Sequence, residues 1–161
     1  MLEFLEARFL GDIELRLVGS PAGIRRIEFL PARSIDALRN AGNTLLLEAE
    51  VQLRAYFAGE LRRFDLPLDI VGTEFQKRVW KELETIPYGE TRSYREIASA
   101  IGAPTAIRAV GAANGSNPLP IVIPCHRVIG SSGKLVGYGG GLPLKERLLK
   151  LEGWPALYAR A

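Results

Sequence analysis

Residues 93–113 read SYREIASAIGAPTAIRAVGAA, and the architecture of the chain's second half follows from this stretch. Ser93-Tyr94-Arg95-Glu96 is a capping box: the serine oxygen can take the orphan amide three residues on while the glutamate reaches back. It opens a short helix that Gly102 stops. A further helix is expected to start near Pro104 and run through Ala113, before Asn114-Gly115. Two short helices joined by a tight glycine-containing turn form a helix-turn-helix; the competing reading is an ordinary packed helix pair. The second helix, Thr105-Ala106-Ile107-Arg108-Ala109-Val110-Gly111-Ala112-Ala113, favours nucleic acid. Its small side chains let a helix approach a sugar-phosphate backbone, and its one arginine can reach the base stack.

Upstream, Thr73-Glu74-Phe75-Gln76 is another capping box. Phe75, Val79, Trp80, Leu83 and Ile86 line one face of the helix it opens, which Pro87-Tyr88-Gly89 is expected to end. Phe64-Asp65-Leu66-Pro67-Leu68 reads as an extended linker with Gly72 as a hinge. Leu45 to Phe57 carries a helical pattern closed by Gly59. Before it, Leu2–Leu10, Ile13–Val18 and Ile24–Leu30 form a β-meander, separated by Gly11-Asp12 and by Ser20-Pro21-Ala22-Gly23. The fold expected is α+β, with a small antiparallel sheet and helix over residues 1–70 as structural support. A mainly helical domain over 71–161 carries the helix-turn-helix.

Composition bounds the function. The chain has 161 residues, 47% hydrophobic and 24% charged, ordinary for a globular protein. A single cysteine excludes an internal disulfide framework, and with a single histidine no usual Cys/His metal cluster can form, so no metal or cofactor is expected. No apolar run approaches the roughly 18 residues of a membrane helix. The N-terminus alternates charged with apolar residues instead of building a signal-peptide core, so a cytoplasmic location without membrane contact is expected. Residues 1–71 hold 9 Lys+Arg against 11 Asp+Glu, whereas 91–150 hold 8 against 2. That asymmetry points the second half toward a polyanion, with a solvated basic face as the plain alternative.

The segment Asn117-Pro118-Leu119-Pro120-Ile121-Val122-Ile123-Pro124-Cys125-His126-Arg127-Val128 contains both the only cysteine and the only histidine. A lone thiol in an Ile/Val run is ordinarily core packing. The adjacent His126 and Arg127 reverse that expectation, because a reactive thiolate needs a proton acceptor or positive charge nearby. In an extended segment neighbouring side chains point to opposite faces. A bend after Pro124, or a bridging water, is therefore required for Cys125 and His126 to cooperate. The imidazole in turn needs a carboxylate to fix its tautomer, and after the cysteine only Glu146 and Glu152 remain.

Ile123-Pro124-Cys125-His126-Arg127-Val128 resembles the active-site signature of the O6-alkylguanine-DNA alkyltransferases. The likeness runs in register through Gly72-Thr73, Phe75-Gln76, Val79-Trp80, Ile86-Pro87-Tyr88-Gly89-Glu90-Thr91, Ser93-Tyr94, Arg108-Ala109-Val110-Gly111, Asn117-Pro118, Gly137-Tyr138 and Leu151-Glu152-Gly153. It implies a ribonuclease-H-like N-terminal domain. It implies Cys125 as nucleophile and alkyl acceptor, His126 as a base acting through a water, and Glu152 as the group that orients it. Arg108 becomes the finger that fills the base stack, with Thr105, Ala106, Ala109 and Gly111 along DNA. Tyr94 lines the pocket, helps rotate the nucleotide and neutralises the departing guanine. Asn117 ties the DNA-reading helix to the active-site turn. The carbonyls of Cys125 and Val128 receive the guanine amino group, and Leu135, Gly137, Tyr138, Gly139, Gly140 and Pro120 wall the pocket. Two departures stand out: Ser116 lies in a segment where relatives often carry a basic residue, and Gly139 where some carry serine.

The implied partner is double-stranded DNA bearing O6-alkylguanine, with O4-alkylthymine as a further lesion, bound by a monomer. The chemistry is self-consistent. A soft thiolate suits displacement at carbon, and the leaving guanine needs a donor for its developing charge. The base must be extruded at a cost of a few kcal/mol. A thioether product has no second cysteine to reset it, so one chain acts once. The alternatives are a helix-turn-helix binder of alkylated DNA, or a regulator, without transfer, and a cysteine hydrolase using Cys125 and His126. The hydrolase leaves the basic helix pair with Arg108 unexplained.

Overall fold

The computed structural model describes residues 2–31 and 43–154. The chain divides into two compact units, Met1–Val71 and Gly72–Ala161. The first holds an antiparallel sheet in the order β1 (Glu3–Phe9), β2 (Ile13–Ser20), β3 (Gly23–Phe29), followed by helix α1 (Thr44–Phe57). Alternation along β1 buries Leu5, Ala7 and Phe9. These share a core with the buried face of α1, Leu46, Ala49, Leu53, Tyr56 and Phe57, where the Phe9 and Phe57 rings lie 5.2 Å apart. Asn43 caps α1, its Oδ1 accepting from the amides of Leu45 and Leu46.

The stretch expected as an extended linker is fastened to this unit. Gln52 clamps Asp65 through two 2.9 Å bonds, donating to its carbonyl and accepting from its amide. The amide of Ile24 donates to the Pro67 carbonyl, and that of Asp69 to the Ile24 carbonyl. Leu68 thereby bridges β3 in parallel. Gly23 permits this approach, because a Cβ there would sit 2.6 Å from the Pro67 oxygen.

The second unit is mainly helical: α2 (Glu74–Leu83), α3 (Tyr94–Ala100), α4 (Ile107–Gly115) and α5 (Leu142–Leu151). Both expected capping boxes form, Thr73 with Gln76 and Ser93 with Glu96. Gly72, the expected hinge, is the first residue of this unit and a close-contact glycine: a Cβ there would lie 2.5 Å from the Trp80 ring. Trp80 Nε1 in turn donates to the Ala113 carbonyl at 2.8 Å, tying α2 to α4.

Three helix boundaries differ from expectation. Helix α2 stops at Leu83, where single turns take over (Thr85 to Glu82, Ile86 to Leu83), since a residue preceding proline avoids the helical region. Helix α4 begins at Ile107, leaving Thr105 and Ala106 in the turn before it. Pro104 occupies the second position of a turn closed by Ala106 N–H to the Ala103 carbonyl at 2.9 Å. At its far end α4 runs on through Asn114 and Gly115. A two-residue parallel ladder joins β4 (Arg92–Ser93) to β5 (Val128–Ile129), so the start of α3 is held beside the chain leaving Cys125.

Candidate active site

The segment before Cys125 is built to aim it. Leu119, Ile121 and Ile123 are buried, and the Ile123 amide closes a turn onto the Leu119 carbonyl. Ile121 has φ of 75°, a region that β-branched residues rarely adopt, four residues before the thiol. Asn117 staples this turn, donating from Nδ2 to the Ile123 carbonyl at 2.8 Å and accepting the Leu119 amide at 2.9 Å. At Pro124 the chain bends, and Cys125–Arg127 form one turn of 3₁₀ helix. The bend needed between Cys125 and His126 is present.

Behind the cysteine lies a closed hydrogen-bonded triad. His126 Nε2 is 2.7 Å from Glu152 Oε2, and both side chains are fully buried. Arg127 forks onto the same carboxylate at 2.8 and 3.0 Å, donates to the Ile86 carbonyl, and stacks 5.7 Å from the Tyr88 ring centre. The Gly89 amide adds a further donor to Glu152 at 3.3 Å. Burial alone would raise the Glu152 pKa, but the bonds from His126 and Arg127 outweigh it and hold the carboxyl at about 2. Burial lowers the His126 pKa against the pull of Glu152, so the imidazole is neutral. With its proton on Nε2, facing the carboxylate, Nδ1 presents a lone pair, and that buried atom has no hydrogen-bond partner.

Cys125 itself is 5% exposed. Burial pushes its thiol up to about 11, against the opposing influence of Asn117, Lys145 and the local amides. The sulfur is therefore a thiol at neutral pH, not the standing thiolate that a low-pKa cysteine would present. Tyr94, at the start of α3, donates from its hydroxyl to the Val136 carbonyl at 3.3 Å. Burial and the neighbouring sulfur raise its pKa, so it is a proton donor.

Lys145 is the residue that composition and motif reading missed. It is fully buried, and its Nζ donates to the carbonyls of Val128 (2.7 Å), Val136 (2.9 Å) and Gly137 (3.2 Å). It thereby fastens the loop 135–140 to the strand that leaves the nucleophile. Burial brings its pKa down to about 8. Its signal in the sequence is position: on α5 it shares a face with Leu142, Leu148 and Leu149, where a lysine is out of place. Arg127, read only as nearby charge, is the partner that fixes Glu152.

The remaining predicted residues fall in three places. Arg108, Ala109 and Thr105 are exposed and Gly111 is half-buried; a Cβ on Gly111 would lie 4.0 Å from the Tyr94 ring. The small-residue face of α4 and Tyr94 are thus adjacent. Gly137 and Gly139 are exposed in the loop, while Pro120 is buried. Leu135 sits in a core cluster with Ile129 and Leu149. Among the described residues no group of three or more His, Cys, Asp or Glu could hold a metal ion, and no helix is long and apolar enough to cross a membrane.

The family model for the 6-O-methylguanine DNA methyltransferase DNA binding domain matches residues 74–154, and that for the ribonuclease-like domain of the same proteins matches 9–70. This chain belongs to the 6-O-methylguanine DNA methyltransferase family. Among its relatives, the methylated-DNA–protein-cysteine methyltransferase of Mycolicibacterium paratuberculosis is 55% identical over 152 residues, covering 87% of this chain and 92% of that one. A relative of the same name from Methanosarcina barkeri is 55% identical over 139 residues, covering 84% and 88%. The family's α+β fold is matched by the crystal structure of Mycobacterium tuberculosis OGT in complex with DNA, with a TM-score of 0.79, 55% identity and 89% of each chain covered. In this methyltransferase, then, the hydrogen-bonded triad and the buried lysine lie around the cysteine of a shared family scaffold.

Proposed function

We infer that this protein repairs DNA by taking the alkyl group of O6-alkylguanine onto Cys125, one transfer per chain. One observation carries the reading: the chain's only thiol sits on a tight turn whose next residue is a neutral, buried imidazole anchored by Glu152. His126 Nδ1 takes the S–H proton, through a water. The sulfur attacks the alkyl carbon, the S–C bond forms as the C–O6 bond breaks, and the electron pair passes to the guanine. The base leaves neutral after taking one proton, which we assign to the Tyr94 phenol, with solvent restoring it. Because the resting thiol is protonated, coupling proton removal to attack matters more here than in a low-pKa cysteine.

The substrate base must leave the stack to reach a sulfur this buried. Arg108, exposed on α4 beside small residues, is suited to fill the space, with Thr105, Ala106, Ala109 and Gly111 against the backbone. The Cys125 carbonyl takes the Val128 amide and a long 3.5 Å bond from Asn114 Nδ2, and the Val128 carbonyl takes Lys145 Nζ; we assign the guanine amino group to these two carbonyls, where it would displace the long Asn114 bond. Gly137, Tyr138, Gly139, Gly140 and Pro120 wall the pocket, while Leu135 supports it from the core. Residues 71–161 are assigned the transfer and residues 1–70 the support. A cytoplasmic location fits a free thiol and a DNA substrate.

The test is intact-mass and peptide analysis after incubation with duplex containing O6-methylguanine. One methyl per chain on Cys125, with C125A binding but unmodified, is expected. Multiple turnover, or an unmodified Cys125, overturns the reading.

A further inference from the structure

We propose that Asn114 Nδ2 is the donor that lets this site take O4-alkylthymine as well as O6-alkylguanine; this rests on the alkyl-transfer reading above. The two lesions present the same outline to the nucleophile. In each, the alkylated oxygen and the group on C2 flank one ring nitrogen. A base that offers its alkyl carbon to Sγ therefore brings its C2 group to the same place. Guanine carries an amine there, and thymine carries a carbonyl. The Cys125 and Val128 carbonyls assigned to the amine suit a donor alone, and a thymine O2 would meet them acceptor against acceptor. A buried acceptor left unmet is costly, so the pyrimidine needs a donor at that position.

The other donors nearby are committed. Lys145 spends its N–H groups on the carbonyls of Val128, Val136 and Gly137. Asn117 Nδ2 holds the Ile123 carbonyl at 2.8 Å and hydrogen-bonds the Cys125 sulfur. The Tyr94 phenol is assigned to the departing base. Asn114 differs. It is 7% exposed near the end of α4, and its Nδ2 donates to the Cys125 carbonyl across a long 3.5 Å. An amide nitrogen carries two hydrogens, and the second has no partner among the described residues. Its Oδ1 accepts nothing, so one long bond is all that orients the amide. The nitrogen stands where a guanine amine would meet the Cys125 carbonyl, and it serves each lesion differently. To O6-alkylguanine it yields the carbonyl. With O4-alkylthymine it keeps the carbonyl and gives its second hydrogen to O2, bridging the acceptors. The S–C bond then forms as the C–O4 bond breaks, and the pyrimidine takes the electron pair and one proton as guanine does.

Single-turnover methyl transfer to Cys125 is measured on one duplex sequence carrying either O6-methylguanine or O4-methylthymine. N114L keeps the volume and removes the donor, N114A removes both, and melting curves check that each folds. Each variant is expected to raise the guanine-to-thymine rate ratio by roughly tenfold or more, because a lost donor strands the thymine O2 alone. A further arm needs no variant. Wild-type protein should react more slowly with O4-methyl-2-thiothymine, whose sulfur is a weaker acceptor, than with O4-methylthymine, and in N114L the two rates should converge. A ratio unchanged in the folded variants overturns the proposal, and that includes equal slowing on both lesions, which marks a merely structural asparagine. So does equal wild-type reaction with the oxygen and sulfur substrates, or no transfer from O4-methylthymine beside normal transfer from the guanine lesion. Failure of the wild type to methylate Cys125 from either duplex instead overturns the alkyl-transfer reading itself.

Discussion

His126 Nε2 and Glu152 Oε2 stand 2.7 Å apart with both side chains out of solvent, and the carboxylate is shared with Arg127. Glu152 therefore does two things at once: it neutralises a buried guanidinium and decides which imidazole nitrogen carries the proton. E152Q removes the charge but keeps the shape. Breaking one member of a buried ion pair costs about 3–5 kcal/mol, so the variant should melt well below the wild type and transfer methyl groups slowly. Thermal unfolding and single-turnover assays measure both. A stable E152Q with unchanged transfer would remove the carboxylate from the site.

The same carboxylate sets the acid limb of stability. Held at about 2 in the folded chain against roughly 4.3 in an unfolded one, it contributes stability that is present above pH 4.3. That contribution is lost as pH falls from there toward 2. Melting temperature followed across this window should drop more steeply in the wild type than in E152Q, whose amide cannot titrate. Parallel curves would contradict the assignment.

With its thiol pushed up to about 11 by burial, Cys125 should be alkylated by iodoacetamide far more slowly at pH 7 than free cysteine, whose pKa is about 8.5. The rate should keep rising past pH 9, where free cysteine has levelled off. A raised thiol pKa also favours the folded state below the unfolded pKa, and that contribution is lost as pH climbs through the folded value. Peptide-resolved mass spectrometry gives the rate at this single cysteine.

What the chain's order of residues made legible was local. The capping boxes at Thr73 and Ser93 involve residues three apart, and the β-meander shows in alternation and turn residues alone. The site's outline was legible too, because Cys125, His126 and Arg127 are adjacent. What escaped depends on distant partners: Glu152 and Arg127 meet across 25 positions, and Lys145 reaches back to Val128 across 17. Thr105 and Ala106 fell outside α4 because a proline turn competed with helix initiation. The packing of Gly72 against the Trp80 ring also escaped, because a glycine's spacing from a tryptophan ring is a tertiary fact.

Lys145 Nζ satisfies three carbonyls at once. K145M keeps the apolar stem and removes the donor, leaving buried carbonyls unmet at about 1–3 kcal/mol for an unsatisfied group. The variant should lose at least about 2 kcal/mol of stability and show faster amide exchange over residues 135–140. Transfer should slow as well, because the Val128 carbonyl loses its anchor. Denaturant melts and hydrogen exchange read these separately, and a K145M chain with unaltered exchange in that loop would show that the lysine does not fasten it.

Arg108 is the one exposed long side chain between Ile107 and Gly115, on a helix whose neighbours are otherwise small. If it fills the place of a rotated nucleotide, its value appears only when a stack must be broken, a cost of a few kcal/mol. R108A should then slow methyl transfer from duplex by roughly tenfold or more, since 1.4 kcal/mol is tenfold, and leave reaction with the free modified base nearly unchanged. R108K separates charge from reach: it restores attraction to phosphate, so duplex affinity recovers, while the planar group that stacks between bases is still missing. Recovery of affinity without recovery of rate assigns the arginine to the stack. Equal slowing of free base and duplex by R108A would place its influence on Cys125 instead and remove the finger from the mechanism.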